Sequence, residues 1–177
     1  MTFAVTACGH SGTMFLAQQL GRARGWTVLH EPDESVSFRA ANQRFEGKLR
    51  YGEVNSYLLS GFSRLNVPHK AVILRNPYDI CQSVARSGGG EQALWYVRES
   101  ISTLDCLAAS GIPVILFRKM VSDPEYLIGI ARMLGVELTE VDVTAKVNEH
   151  RGTLHLPLIF NKIVRSEFDA FLQRYEA

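Results

Sequence analysis

Hydrophobic positions along the chain alternate between short apolar runs and amphipathic segments. The run at residues 70–74 is continuous and contains β-branched side chains, which is typical of a strand buried on both faces of a sheet. Apolar residues recur at helical spacing between the runs, most clearly over residues 91–109. Buried strands are predicted at residues 3–5, 26–30, 70–74 and 112–117. This alternation predicts an α/β fold in which helices cover both faces of a parallel sheet.

The other segments are consistent with a single domain over residues 1–177. Residues 33–50 are polar and irregular, so we expect a short helix and a mobile lid there. The wider span 33–65 is a possible lid or acceptor-binding insert. Two further helices and a loop are predicted, over residues 123–135, 162–175 and 146–157.

The segment that links the first strand to the first helix has the composition of an anion-binding loop. Gly9 and Gly12 allow a tight turn that brings backbone N–H groups close to a ligand, and Ser11 and Thr13 add hydroxyl donors. The helix that follows directs unpaired N–H groups and the positive end of its dipole to the same place. Phosphate or sulfate is the natural ligand. The alternative is an ordinary strand-to-helix turn with Ser11 as the N-cap.

Two distant side chains are expected to converge on this loop, because ligands on parallel sheets bind at the carboxyl ends of the strands. Glu31 follows the second predicted strand, and Arg75 follows the strand at 70–74. Ser83 lies in the helix after Arg75, so the guanidinium and the hydroxyl can hold one phosphate together. The alternative is a surface arginine and an unrelated helix serine.

Composition narrows the class of protein without identifying a partner. The chain has 177 residues and a net charge of +1, so charge gives no argument for binding nucleic acid or a membrane surface. Its three cysteines form no CxxC pair and fit no zinc site, which indicates a reducing compartment. No secretory signal precedes the first strand, and no apolar run reaches the length of a membrane span. We therefore expect a cytoplasmic protein.

Three motifs together resemble the sulfotransferase family. Residues 9–13, with the sequence GHSGT, resemble the family's 5′-phosphosulfate loop, usually written K-S-G-T or R-S-G-T. Residues 75–83 resemble its 3′-phosphate motif, R-x-P-x-x-x-x-x-S. Residues 117–125, with Leu134-Gly135 after them, resemble its later R-Y-E-D-L-x-x-D-P segment. The motifs occur in the family's order and in its expected secondary structure.

The resemblance implies a three-layer, P-loop NTPase-like fold and a sulfuryl donor, 3′-phosphoadenosine 5′-phosphosulfate (PAPS). The product would be adenosine 3′,5′-bisphosphate (PAP), and no metal is required in this family. By match, Gly9, His10, Ser11, Gly12 and Thr13 would hold the 5′ phosphosulfate, and Arg75 and Ser83 the 3′ phosphate. Arg151 and Gly152 faintly resemble a loop that covers the 3′ phosphate in some members.

The sequence departs from the family's pattern at two places. His10 stands where many members have a lysine or arginine that stabilises charge on the leaving phosphate. A histidine does this only when it is protonated or acts as a neutral donor. Lys119-Met120 replaces the usual Glu-Asp of the later segment.

Sulfuryl transfer also needs a base and an acceptor pocket. Glu31 is the first candidate for the base and His30 the second, because both follow the second strand. The alternative is that Glu31 caps a loop or pairs with a lysine. The acceptor would be a small molecule or a glycan, and four polar residues are candidates to line its pocket or to lie in a solvated loop: Arg44, Arg50, Glu53 and Asn55.

Two other enzyme classes agree less well with the sequence of the loop. A nucleotide or small-molecule kinase needs a Gly-Lys-Ser/Thr ending, whereas Gly12 is followed directly by Thr13. A cysteine phosphatase would need an arginine at the position of Met14. A non-catalytic nucleotide-binding module of the same fold is the alternative from another class, and His10 favours it. The sequence does not predict an oligomeric state.

Overall fold

A computed structural model describes residues 1–33, 37–88, 91–144 and 165–175. Within them lies a five-stranded, wholly parallel sheet with the order β2-β3-β1-β4-β5. The strands are β1 (Thr2–Ala7), β2 (Thr27–His30), β3 (Tyr51–Val54), β4 (His69–Leu74) and β5 (Val114–Leu116). The predicted α/β class and parallel sheet are therefore confirmed.

Helices alternate with the strands along the chain, as in other α/β folds. They are α1 (Thr13–Leu20), α2 (Phe38–Phe45), α3 (Pro77–Arg86), α4 (Glu91–Ala109), α5 (Phe117–Met120), α6 (Pro124–Met133) and α7 (Arg165–Tyr175), with a 3-10 helix over Ser56–Arg64. In the described ranges, no helix is long and apolar enough to cross a lipid bilayer.

Alternate residues of the central strand β1 point into two separate cores. Phe3 and Val5 pack on one face with residues of α1 and α6. Ala4, and Cys8 directly after the strand, pack on the other face with residues of α3, α4 and α7. Because both faces are covered, the strand is apolar along most of its length, as expected for a parallel sheet.

Sequence patterning missed β3, although this strand pairs with both β1 and β2. Gly52 and Glu53 interrupt the apolar pattern that marks a buried strand. Gly52 is needed because a Cβ there would lie 2.1 Å from the ring of Phe3. The insertion of β3 makes β2 an edge strand of the described sheet, two positions away from β1.

Element boundaries shift by a few residues from those expected. The strand predicted at 112–117 is shorter, because Phe117 already begins α5. The last helix begins at Arg165 within the predicted span 162–175. The polar segment at 33–50 contains α2, whose N-cap Ser37 accepts a hydrogen bond from the Ala40 amide. The loop predicted at 146–157 lies outside the described residues.

Candidate functional site

The loop between β1 and α1 has a constrained backbone. Gly12, the N-cap residue of α1, has φ of 83°, and a Cβ there would lie 2.6 Å from the Phe117 ring. His10 also adopts a positive φ, of 63°. Non-glycine residues in this region carry strain that concentrates at functional sites. The glycine at position 12 is thus required by its backbone conformation and by close packing.

Three buried donor atoms around the loop have no hydrogen-bond partner among the described residues. They are Ser11 Oγ, Asn55 Nδ2 and Arg75 Nε. Ser11 follows β1, Asn55 follows β3 and Arg75 follows β4, so the donors come from the carboxyl ends of three neighbouring strands. An unsatisfied buried donor costs about 1–3 kcal/mol, and oxygen atoms of a bound ligand would remove that cost.

Arg75 is held against the loop from two sides. Its Nη1 donates a hydrogen bond of 2.7 Å to the carbonyl oxygen of His10. Its guanidinium carbon lies 4.3 Å from the centroid of the Phe117 ring, in cation–π geometry. Burial lowers the pKa of Arg75, and the Asp79 carboxylate opposes that shift. The group remains a cation, since arginine does not lose its proton in proteins.

His10 and Ser83 are in direct contact, although one belongs to the loop and the other to α3. His10 Nδ1 lies 3.0 Å from Ser83 Oγ. Burial lowers the pKa of His10, the Arg75 charge lowers it further, and Glu31 opposes both effects. The first two effects favour the neutral imidazole of His10.

A chain of polar contacts connects the loop to Glu31. Thr13 Oγ1 lies 2.9 Å from His30 Nε2, which in turn lies 3.8 Å from Glu31 Oε2. The other carboxylate oxygen, Oε1, accepts a hydrogen bond of 2.5 Å from the Ser56 hydroxyl. Glu31 has a positive φ of 43°. Both candidate bases thus lie beside the loop although β2 is two strands away from β1.

The polar residues proposed for the acceptor pocket occupy different environments. Glu53 is fully buried and forms two hydrogen bonds of 2.7 Å with Arg44, which also pairs with Asp33. Arg50 precedes β3 and therefore lies at the amino end of the sheet, away from the loop. Asn55 is buried at the carboxyl end, where its Nδ2 has no hydrogen-bond partner among the described residues.

The faint match at Arg151 and Gly152 lies outside the described residues.

Sequence reasoning missed two residues that organise the site. Ser56 holds Glu31, but the strand before it was not recognised, so its place at a strand end was hidden. Phe117 contacts both Gly12 and Arg75. Phe117 is the first residue of the third motif, at residues 117–125. An aromatic residue at the end of a predicted strand was the feature that could have indicated its role.

Among the comparisons with known proteins, only the search of solved structures finds similar proteins. No family model and no curated protein matches the chain. The crystal structure of mouse sulfotransferase SULT7A1 complexed with PAP is similar over 78% of this chain, with a TM-score of 0.52 and 14% identity. The chain spans 60% of the length of that protein.

A second solved structure is similar over the whole chain. It is the sulfotransferase domain from the Synechococcus PCC 7002 olefin synthase, with a TM-score of 0.57 and 15% identity, and 94% of that domain is covered. The resemblance suggested by the three sequence motifs is thus confirmed at the level of the fold. This chain has the fold of the sulfotransferases.

Proposed function

We propose that the protein transfers a sulfuryl group from PAPS to a hydroxyl or amine of an acceptor. The observation that carries this proposal is a set of three buried donors at neighbouring strand ends that have no hydrogen-bond partner in the part of the chain that the structure describes: Ser11 Oγ, Asn55 Nδ2 and Arg75 Nε. An oxyanion-rich ligand at the carboxyl end of a parallel sheet would satisfy them. The donor set therefore fits a phosphosulfate nucleotide.

In this proposal, the loop after β1 and the segment after β4 bind different phosphate groups of the nucleotide. The backbone of Gly9–Thr13 and the first turn of α1 bind the 5′ phosphosulfate. Arg75, together with Ser83, binds the 3′ phosphate. The contact between His10 and Ser83 supports this division, because it brings the two phosphate-binding segments to one place.

Glu31 is the proposed base that accepts the proton of the attacking hydroxyl. Ser56 donates a hydrogen bond to its Oε1, and its Oε2 lies 3.8 Å from His30 Nε2. A general base of this kind contributes about 10²–10⁴ in rate. His30, which lies between Glu31 and Thr13, is the second candidate.

His10 is the proposed stabiliser of negative charge on the 5′ phosphate oxygen. Burial and the Arg75 charge lower its pKa. An anionic nucleotide next to it would favour the imidazolium and raise that pKa. The cation would then lower the barrier for departure of the phosphate oxygen.

The proposal is tested by two measurements on the purified protein. Calorimetry should show that PAP binds more tightly than AMP, and that ATP with magnesium binds no better than AMP. Radiolabelled PAPS should then transfer its label to members of a broad set of alcohols, amines and glycans. Preference for ATP would instead support a kinase.

A non-catalytic nucleotide-binding module is the second candidate function, because His10 stands where the family has a lysine or arginine and burial lowers the pKa of His10. Tight PAP binding without label transfer to any acceptor would support this module. We also propose a cytoplasmic, single-domain protein.

A further inference from the structure

Arg44, in the last turn of α2, joins that helix to β3 and to the turn after β2. Its Nε and Nη2 donate hydrogen bonds of 2.7 Å to the two carboxylate oxygens of Glu53, on β3. Its Nη1 donates a hydrogen bond of 3.0 Å to Asp33, two residues after Glu31. Each nitrogen atom of the guanidinium thus has a partner within the protein, so Arg44 is better placed to organise the site than to bind an acceptor.

The inner half of this network is fixed in the core. The Glu53 side chain is fully buried, and the Tyr51 hydroxyl donates a further hydrogen bond of 2.7 Å to Glu53 Oε1. A buried carboxylate that lost its cation would be strongly unfavourable. The two parallel hydrogen bonds therefore hold the guanidinium on β3, and from this fixed position it reaches Asp33.

The outer half of the network holds the turn in which the candidate base lies. Glu31 has a positive φ of 43°, which is uncommon for a residue other than glycine and is maintained by its surroundings. On one side, the Glu31 amide donates to the Val54 carbonyl oxygen at 3.3 Å, and its carboxylate accepts from Ser56. On the other side, Arg44 holds Asp33. The turn is therefore restrained at both ends.

Building on the proposed function, we infer that Arg44 is a positioning residue for the base Glu31. Through Asp33 it restrains the turn after β2, so that the Glu31 carboxylate stays on Ser56 and beside the anion loop. Such restraint matters for rate, because displacing a reacting group by about 1 Å can cost about 10²-fold. Arg44 has this effect without touching the acceptor or the nucleotide.

Two variants test the two halves of the network separately. Asp33→Ala removes the outer contact and leaves Glu53 paired. Arg44→Lys keeps a positive charge for Glu53, but an ammonium cannot form the two parallel hydrogen bonds and also reach Asp33. Glu167→Ala is the matched control, because Glu167 and Arg98 form a comparable, partly exposed pair between α7 and α4, with hydrogen bonds of 2.7 and 2.8 Å.

The first measurement is amide hydrogen exchange at Ser56, followed by NMR. The Ser56 amide donates to Glu31 Oε1 at 3.4 Å, so its exchange rate reports whether the carboxylate stays in place. Because Asp33 is exposed, its ion pair has a modest effect, and Asp33→Ala should speed this exchange by about 1.5- to 5-fold. Arg44→Lys should speed it more, and Glu167→Ala should leave it unchanged. Unchanged exchange in both Asp33→Ala and Arg44→Lys would overturn the inference.

The second measurement is label transfer from radiolabelled PAPS to the same set of alcohols, amines and glycans. We expect kcat to fall by about 1.5- to 5-fold in Asp33→Ala and by up to about 10²-fold in Arg44→Lys. KM for PAPS and PAP affinity should stay within about twofold of the wild type. Asp33→Glu should restore most of kcat. In the double variant, Asp33→Ala should cause no further loss, because Arg44→Lys has already broken the contact.

The outcomes separate this inference from the proposed function. Normal kcat in both variants of a protein that transfers label would overturn the inference and leave the proposed function standing. Additive losses in the double variant would also overturn it, because Arg44 would then act by a route other than Asp33. If the wild type transfers no label, the proposed function fails, and exchange at Ser56 alone decides whether Arg44 positions Glu31. If Arg44→Lys does not fold, Asp33→Ala and Asp33→Glu decide.

Discussion

Replacement of Arg75 by alanine separates nucleotide recognition from support of the loop. The side chain has two roles in the structure. Its Nη1 donates to the His10 carbonyl oxygen at 2.7 Å, whereas its Nε is a buried donor without a partner in the described residues. Loss of the first contact affects every ligand of the loop. Loss of the second affects only a ligand that presents an oxyanion to Nε, which we assign to the 3′ phosphate.

The two losses differ in size. A hydrogen bond from a charged donor contributes roughly 1.5–3 kcal/mol, so loss of the 3′-phosphate contact in Arg75→Ala should weaken PAP by about 10- to 150-fold beyond the loop contribution that PAP shares with AMP. AMP lacks the 3′ phosphate and should lose only the loop contribution, roughly 0.5–1.5 kcal/mol or about 2- to 12-fold. The informative quantity is the ratio of the two losses.

Calorimetry with PAP and AMP on wild type and Arg75→Ala measures that ratio. Phe117→Leu serves as the matched control, because it removes the ring 4.3 Å from the guanidinium and keeps every donor of Arg75. Its effect on the two ligands should be similar, because it weakens the support of the loop without removing a donor. Equal losses of PAP and AMP affinity in Arg75→Ala would refute the assignment of Arg75 to the 3′ phosphate.

Three further predictions concern other parts of the site. Glu31→Gln should keep PAP affinity and lose most label transfer, by about 10²–10⁴-fold, because an amide accepts no proton; near-normal transfer would move the base to His30. Burial lowers the pKa of His10, and the phosphates of a bound nucleotide should raise it again. We therefore expect His10 to take up a proton when the nucleotide binds. PAP affinity and transfer rate should therefore fall as pH rises through the pKa of the complex, and His10→Lys should abolish the proton uptake seen by calorimetry in buffers of different ionisation enthalpy. Gly12→Ala should lower the free energy of unfolding by roughly 1–3 kcal/mol in urea, because the new Cβ meets Phe117. Gly47→Ala, which has a positive φ of 67° but no neighbour within 4 Å, should cost less, and equal costs would show that packing against Phe117 is unimportant.

The fold was predictable wherever burial determines composition. The strand β4 is enclosed on both faces, so its apolar run shows in the sequence. The strand β3 was not predictable, because two of its four residues are determined by contacts with residues distant in the sequence. Gly52 makes room for Phe3, and Glu53 is neutralised by Arg44, a residue on a helix that the sequence placed only loosely.

The sequence predicts the individual segments of the site better than the contacts between them. Glycines at the end of a strand indicate an anion loop because backbone conformation demands them, and Gly12 does have a positive φ. The contacts of Arg75 with His10 and Phe117 depend on three chain segments that meet only after folding. These contacts therefore cannot be predicted from local sequence.

The position of β3 between β1 and β2 has a consequence for how the chain folds. In the described sheet, β1 and β2 do not pair with each other, and each pairs with β3, which is later in the sequence. A nascent chain that has emerged only as far as Arg50 thus lacks the strand that joins them. Since such non-local pairing is slow, sheet formation should wait for β3, and a fragment of residues 1–50 should show helical signal without stable sheet by circular dichroism.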